Sequence, residues 1–206
     1  MTQRVLVLFA HPRLEISRAN ARLLEELQGL EGVTLRDLYE LYPSFDIDPK
    51  VEQQVLSQHD VIVLHHPLYW YSCPALLKEW LDVVLEVGWA YGPGGRALAG
   101  KVMLNAVTTG GRAEAYTPAG HNRHTLRELL APFEATARFC GMAWLPPYAV
   151  HGALRVHREG QMEPFARTYR CLLEALRDGS LDLARAAQAE HLNALVCAQQ
   201  QNEVPA

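Results

Sequence analysis

No stretch of this 206-residue chain approaches the roughly 18 consecutive apolar residues of a membrane-spanning helix, so any contact with a membrane is expected to pass through a partner. Cysteine is scarce and scattered. Cys73, Cys140, Cys171 and Cys197 form no CxxC pair, and no secretory leader precedes the first apolar run, which speaks against a disulfide framework or a zinc site and fits a reducing cytosol. Excess positive charge is missing too: 19 Lys and Arg against 23 Asp and Glu leave a net charge of -4, too little for a broad nucleic-acid or anionic-membrane surface. A further absence is local. The segment AHPRLEISRAN, Ala10 to Asn20, joins an apparent strand to an apparent helix without a single glycine, at a place where phosphate-binding turns commonly carry several.

What is present is an alternation. Arg4 to Ala10 reads as a strand and Ser17 to Leu27 as a helix, followed by strands at Val33 to Leu38, Asp60 to His65 and Lys101 to Val107. Between them the spacing predicts helices over Pro49 to Ser57, opened by Asp48, and over Pro74 to Val87. A helix over Thr125 to Phe139 should bend or restart at Pro132, a fifth strand over Met142 to Val150 is interrupted by Pro146 and Pro147, and a packing helix runs from Pro164 to Arg177. Beyond the break at Asp178-Gly179-Ser180, apolar residues from Leu181 through Leu192, Leu195 and Val196 predict one further helix to about Gln200. The chain thus divides into a domain over 1–178 and a helical extension over 179–206, too short to persist undocked in water.

Strands alternating with helices require an α/β fold with a parallel sheet covered on both faces and right-handed crossovers. Five strands suggest the order 2-1-3-4-5, whose ligand crevice opens at the carboxyl ends of strands one and three, where the order reverses. Three loops would line it. In the first, the helix start near Ser17 offers free backbone N–H groups and the positive end of a dipole to a phosphate, joined by the Ser17 hydroxyl, Arg18, the Asn20 amide and His11; the alternative is that Ser17 is only a helix cap. In the second, Tyr69, Trp70 and Tyr71 are consecutive, so at least one faces the crevice as a platform for a planar heterocycle, unless the three form an aromatic plug. In the third, Thr108-Thr109 bring hydroxyls and Gly110-Gly111 let the backbone approach a flat ligand, or simply make a turn. His65-His66 and His121-His124 lack neighbouring ligands at metal-site spacing, so no metal is expected.

Taken together, AHP at Ala10 to Pro12 with SRAN at Ser17 to Asn20, LYELYPSFDID at Leu38 to Asp48, HPLYWYSCPALLKEWLD at His66 to Asp82, GWAYG at Gly88 to Gly92, VTTGG at Val107 to Gly111 and LLAPFEATARFCGMAWLPPYAVHG at Leu129 to Gly152 resemble the flavodoxin-like NAD(P)H:quinone oxidoreductases. The closer likeness is to bacterial ancillary proteins of glutathione-regulated potassium efflux systems. The resemblance implies a flavodoxin-like fold, a non-covalent FMN or, alternatively, FAD, and a homodimer with its sites at the subunit interface. It implies two-electron transfer from NADPH or NADH to a quinone or, as the other reading, a regulatory subunit of a potassium antiporter, cytoplasmic and peripheral to the inner membrane through that partner. His11 and the run Ser17, Arg18, Ala19, Asn20 would hold the flavin phosphate end; Pro67, Leu68, Tyr69, Trp70 and Tyr71 would run under the ring; Thr108, Thr109, Gly110 and Gly111 would bind its pyrimidine edge. Tyr116 and His121 look like the family's active-site pair.

Overall fold

In the computed structural model, which describes residues 2–195, the central strands β1 (Val5–Phe9), β3 (Val61–Pro67) and β4 (Val102–Thr108) are buried along their whole length. That is what their largely apolar sequences demand, because a parallel sheet is covered on both faces. The edge strand β2 (Val33–Asp37) is partly exposed, and the strand order is β2-β1-β3-β4-β5, all parallel. The fifth position is shared by two short segments. β5 (Ala143–Trp144) pairs with the start of β4 and β6 (Tyr148–Val150) with its end, because Pro146 and Pro147 between them cannot donate to the ladder.

Alternate residues of the sheet feed two cores. Val5 and Val7 point to the side covered by α1 (Arg18–Glu25), α7 (Ala153–Arg158) and α8 (Met162–Asp178). Leu6 and Leu8 point to the side covered by α2 (Leu38–Leu41), α3 (Pro49–Ser57), α4 (Ala75–Val84), α5 (Leu126–Leu129) and α6 (Ala131–Phe139). Each fully buried Leu or Val contributes about 1.5–3 kcal/mol. Helix starts follow local chemistry. Asp48 accepts from the N–H groups of Lys50 and Val51 ahead of Pro49, and Thr125 and Glu128 form a reciprocal capping box.

The structure departs from the expected elements at several places. Leu38 opens α2 instead of ending β2, because the Asp37 carboxylate accepts from the N–H groups of Tyr39 and Glu40 and turns the chain. By contrast, the restart expected at Pro132 within Thr125 to Phe139 is present: two helices meet at Leu130, with Pro132 in the first turn of the second. α7 was not anticipated. The single extended helix expected from Leu181 to about Gln200 is also corrected: α9 (Leu183–Gln188) stops at Ala189, which is extended, and Arg127 Nη1 takes the freed carbonyls of Ala187 and Ala189 at 3.2 and 3.1 Å. Val196 and the expected helix end near Gln200 lie outside the described residues. Leu181, Ala186 and Leu192 are buried in the same core as α8.

Candidate functional site

At the carboxyl ends of β1, β3 and β4 a cavity of about 250 Å³ is lined by His11, Ser17 to Asn20, Pro67 to Tyr69 and Thr108 to Gly110. The order reversal between β1 and β3 opens it. A shallower cavity of about 330 Å³ adjoins it, with Leu68 and Gly110 in both walls, and brings Trp70, Tyr71 and Gly111 together with Tyr116 and His121. All sixteen sequence-selected residues therefore line one or other of two adjoining cavities.

The first loop resolves the question of its missing glycines. Ala21 is the first residue of α1 whose N–H reaches a backbone carbonyl, that of Ser17 at 3.0 Å, so the N–H groups of Arg18, Ala19 and Asn20 open into the cavity without an acceptor among the described residues. Ser17 stands at the cap position, yet its side chain makes no cap hydrogen bond. Its oxygen accepts from Asn20 Nδ2 at 2.8 Å, which leaves its own proton free to donate. Asn20 is itself held: Nδ2 also donates to Thr108 Oγ1 at 3.1 Å, and Oδ1 accepts from His65 Nε2 at 3.1 Å. That fixes the His65 tautomer, whose Nδ1 accepts from the Tyr169 hydroxyl at 3.1 Å. Burial pushes the His65 pKa down to about 3 and raises that of Tyr169, so both are neutral at pH 7. A neutral chain, Tyr169 to His65 to Asn20 to Ser17, thus aims one hydroxyl at the mouth of a helix N-terminus. His11 is buried, its Nδ1 accepts from the Arg13 N–H at 3.0 Å, and its Nε2 lies 3.4 Å from the Tyr69 hydroxyl. Burial lowers its pKa, against the pull of Glu15.

The aromatic loop is a tight hairpin. Tyr69 and Ser72 exchange two backbone hydrogen bonds, and the two residues between them, Trp70 and Tyr71, have φ of 49° and 63°. Left-handed geometry at both central positions is the type I′ arrangement usually filled by Asn-Gly. Placing two aromatics there stores strain of about 1–3 kcal/mol per residue and projects both rings outward. Trp70 is 94% exposed and Tyr71 50%, so neither is a plug; Tyr69, the third aromatic, lines the deeper cavity.

In the third loop Thr108 and Thr109 are buried, and the N–H groups of Gly110 and Gly111 have no acceptor among the described residues. A Cβ on Gly111 would stand 3.1 Å from Tyr116 Cε2 and 3.3 Å from the Tyr116 hydroxyl, so glycine lets the phenol close over the loop.

Sequence reasoning missed the wall opposite α1. Ala153, Leu154 and His157 of α7 line the deeper cavity, and His151, just ahead of them, stacks on Tyr116 with ring centroids 5.2 Å apart. α7 has only six residues, too few for a periodic signal; the one local cue is Gly152, whose φ of 63° sets the turn. His65 and His66, the pair weighed for metal, are fully buried and spent on hydrogen bonds, His66 with Asn105 Nδ2 at 3.1 Å and the Pro67 carbonyl at 3.0 Å. Among the described residues no cluster of three or more His, Cys, Asp or Glu is arranged to hold a metal, and no helix is long and apolar enough to cross a membrane.

With this geometry in hand, comparison with known proteins is informative. Residues 3–173 match the family described as having a flavodoxin-like fold. The glutathione-regulated potassium-efflux system ancillary protein KefG of Serratia proteamaculans is 52% identical over 166 residues, 81% of this chain and 90% of that one. Among solved structures, general stress protein 14 of Treponema denticola in complex with FMN is 37% identical with a TM-score of 0.79, covering 84% of this chain and 99% of that one. An NADPH-quinone reductase from P. pentosaceus is 34% identical with a TM-score of 0.75, covering 82% and 96%. The chain belongs to the family of the flavodoxin-like fold, as a relative of the NADPH-quinone reductases and of the potassium-efflux ancillary proteins.

Proposed function

We propose that the protein is a flavin-dependent NAD(P)H:quinone oxidoreductase. The observation that carries this reading is the crevice itself: an open helix N-terminus with an oriented hydroxyl at one end, and free glycine amides under an aromatic loop at the other. These residues fit a flavin mononucleotide. The N–H groups of Arg18, Ala19 and Asn20, the Ser17 hydroxyl and the Arg18 charge would receive its phosphate, His11 and Tyr69 would border the linking chain, and Thr108 to Gly111 would face the ring edge. FMN is favoured over FAD because the related stress protein binds FMN; mass spectrometry of the released cofactor decides between them.

A flavin bound here supplies hydride chemistry between NADPH or NADH and a quinone, in two separate half-reactions at one face. The protein does the rest. The Gly110 and Gly111 amides, free of acceptors among the described residues, would donate to the ring edge and favour negative charge there. Tyr116 holds a proton above Gly111, where it donates to a quinone oxygen, and His121 borders the same cavity as its second polar wall. Trp70 and Tyr71 supply a face against which the planar substrate is excluded from water. Because Trp70 is so exposed in one protomer, the working unit is proposed to be a homodimer in which the second copy covers this end, and sedimentation of the holoprotein tests it.

Purified protein given FMN, NADPH and a soluble quinone, without oxygen, should consume NADPH beyond one equivalent per bound flavin only when the quinone is present. A yellow protein that consumes none points to the second reading, favoured by 52% identity across 90% of the Serratia efflux ancillary protein: a flavin-binding subunit that activates a potassium antiporter from the cytoplasmic side of the inner membrane. Potassium efflux from vesicles carrying the antiporter, with and without the protein, measures that role directly.

A further inference from the structure

Residues 181–195 lie beyond the 3–173 span of the family match, yet they return to the back of the crevice. The Leu192 N–H donates to the Pro147 carbonyl at 3.0 Å, and the Asn193 side chain brackets Ala149, accepting from its N–H at 3.0 Å and donating to its carbonyl at 2.9 Å. A single amide side chain here does for the outer edge of β6 what a neighbouring strand would do. Held in this way, the His191 ring lies edge-on to His151, centroids 5.3 Å apart. Two nitrogens of these rings, His151 Nε2 and His191 Nδ1, are buried with no hydrogen-bond partner among the described residues.

The tautomer of His151 is fixed by its other neighbour. Thr109 has one hydroxyl proton, which donates to the Gly111 carbonyl at 2.8 Å, so its oxygen accepts from His151 Nδ1 at 3.2 Å. His151 Nε2 is therefore a bare acceptor, and a buried acceptor demands a donor. Burial and the neighbouring His191 lower the His151 pKa to about 4 against the pull of Glu114, while burial lowers that of His191 against the pull of Glu190, so both rings are neutral at pH 7.

We propose that His191 is a positioning residue for the loop that carries Gly110 and Gly111: its Nδ1–H donates through one bridging water to His151 Nε2, completing a chain through His151 and Thr109 to the Gly111 carbonyl. That carbonyl also accepts from the Gly152 N–H at 2.7 Å, so the chain pins Gly111 from its carbonyl side, one peptide on from the Gly111 N–H in the cavity wall. The C-terminal extension is then part of the site and not an appendage to it. The proposal rests on the flavin reading of the crevice, and its test has an arm that needs no flavin.

Ring ¹⁵N shifts of unloaded protein at pH 7 should report both His151 and His191 as neutral with the proton on Nδ1; a proton on His151 Nε2, or a His191 whose Nδ1 carries none, overturns the chain. The second arm measures FMN dissociation constants by quenching of flavin fluorescence. His191→Phe keeps the ring volume without a donor, whereas His191→Asn places an N–H near the position of Nδ1. We expect Phe to weaken FMN binding about tenfold and Asn to restore it to within about twofold. No loss with Phe, or equal losses with both, assigns His191 to packing and overturns the proposal. Should the Phe variant fail to fold, the ring shifts of the wild-type protein decide alone. A protein that binds no flavin at all sinks the flavin reading, while the same shifts still judge the hydrogen-bond chain.

Discussion

At the deep end of the crevice Asn20 and Thr108 are 2% and 4% exposed and tied into a neutral hydrogen-bond chain, whereas at the shallow end Trp70 is 94% exposed on a strained two-residue turn. The deep end is finished within one chain. Its donors are aimed before any ligand arrives, so binding there costs little ordering entropy. The shallow end is left open, as the proposed docking of two planar substrates in turn and the proposed cover by a second copy would require. The proposed function thus puts grip at one end and chemistry at the other, and substitutions at the two ends should fail in different ways.

Asn20→Leu attacks the deep end hardest. It strands the His65 Nε2–H, one Thr108 contact and the Ser17 orientation together, and should cost about 3 kcal/mol of stability in chemical denaturation as well as abolishing flavin retention. Retention of yellow colour would break the claim that the chain aims Ser17. Next, Tyr116→Phe tests the shallow end: quinone turnover should fall about a hundredfold with the FMN dissociation constant unchanged, the signature of a lost proton donor and not of lost grip. Unchanged turnover removes Tyr116 from the reaction.

Acid should reach the deep end through His65. Its pKa is about 3 in the folded protein against 6.5 in the unfolded chain, so the unfolded state binds more protons between those values. Stability is therefore full above about pH 7, falls as pH drops through 6.5, and by pH 5 has lost about 2 kcal/mol from this group alone. Thermal midpoints measured from pH 8 to pH 5 check the sign; a midpoint that rises on acidification contradicts it. Smallest in energy is Trp70→Gly. Relief of the left-handed backbone, offset by the greater freedom of glycine in the unfolded chain, should leave stability higher by about 0.5 kcal/mol, while quinone KM rises. A destabilised variant would mean that Trp70 packs against its own protomer.

Much of this was readable along the chain, and the reasons differ by element. β1, β3 and β4 announced themselves because a strand buried on both faces is mostly apolar, and Asp48-Pro49 marked a helix start to the residue because capping is local chemistry. The three loops could be assigned to one crevice because the order of a parallel sheet dictates which strand ends are neighbours. α7 was silent, since six residues give no period, and with it went His151, Leu154 and His157. The extension misled for another reason. Its apolar spacing is helical over Leu181 to Leu195, but Arg127 and Ala149 capture its backbone and side chains across the fold and break it at Ala189.

By itself, then, the sequence determined the strand order, the crevice and the residues that border it, because hydrophobic periodicity, caps and the handedness of crossovers act over short spans of chain. Only the tertiary structure decided that Ser17 accepts from Asn20 and does not cap, that Asn20 is held by Thr108 and His65 and does not stand free, and that a tail histidine packs on His151. Those outcomes depend on which buried donor meets which acceptor across 45 to 88 residues of intervening chain, and no local rule carries that information.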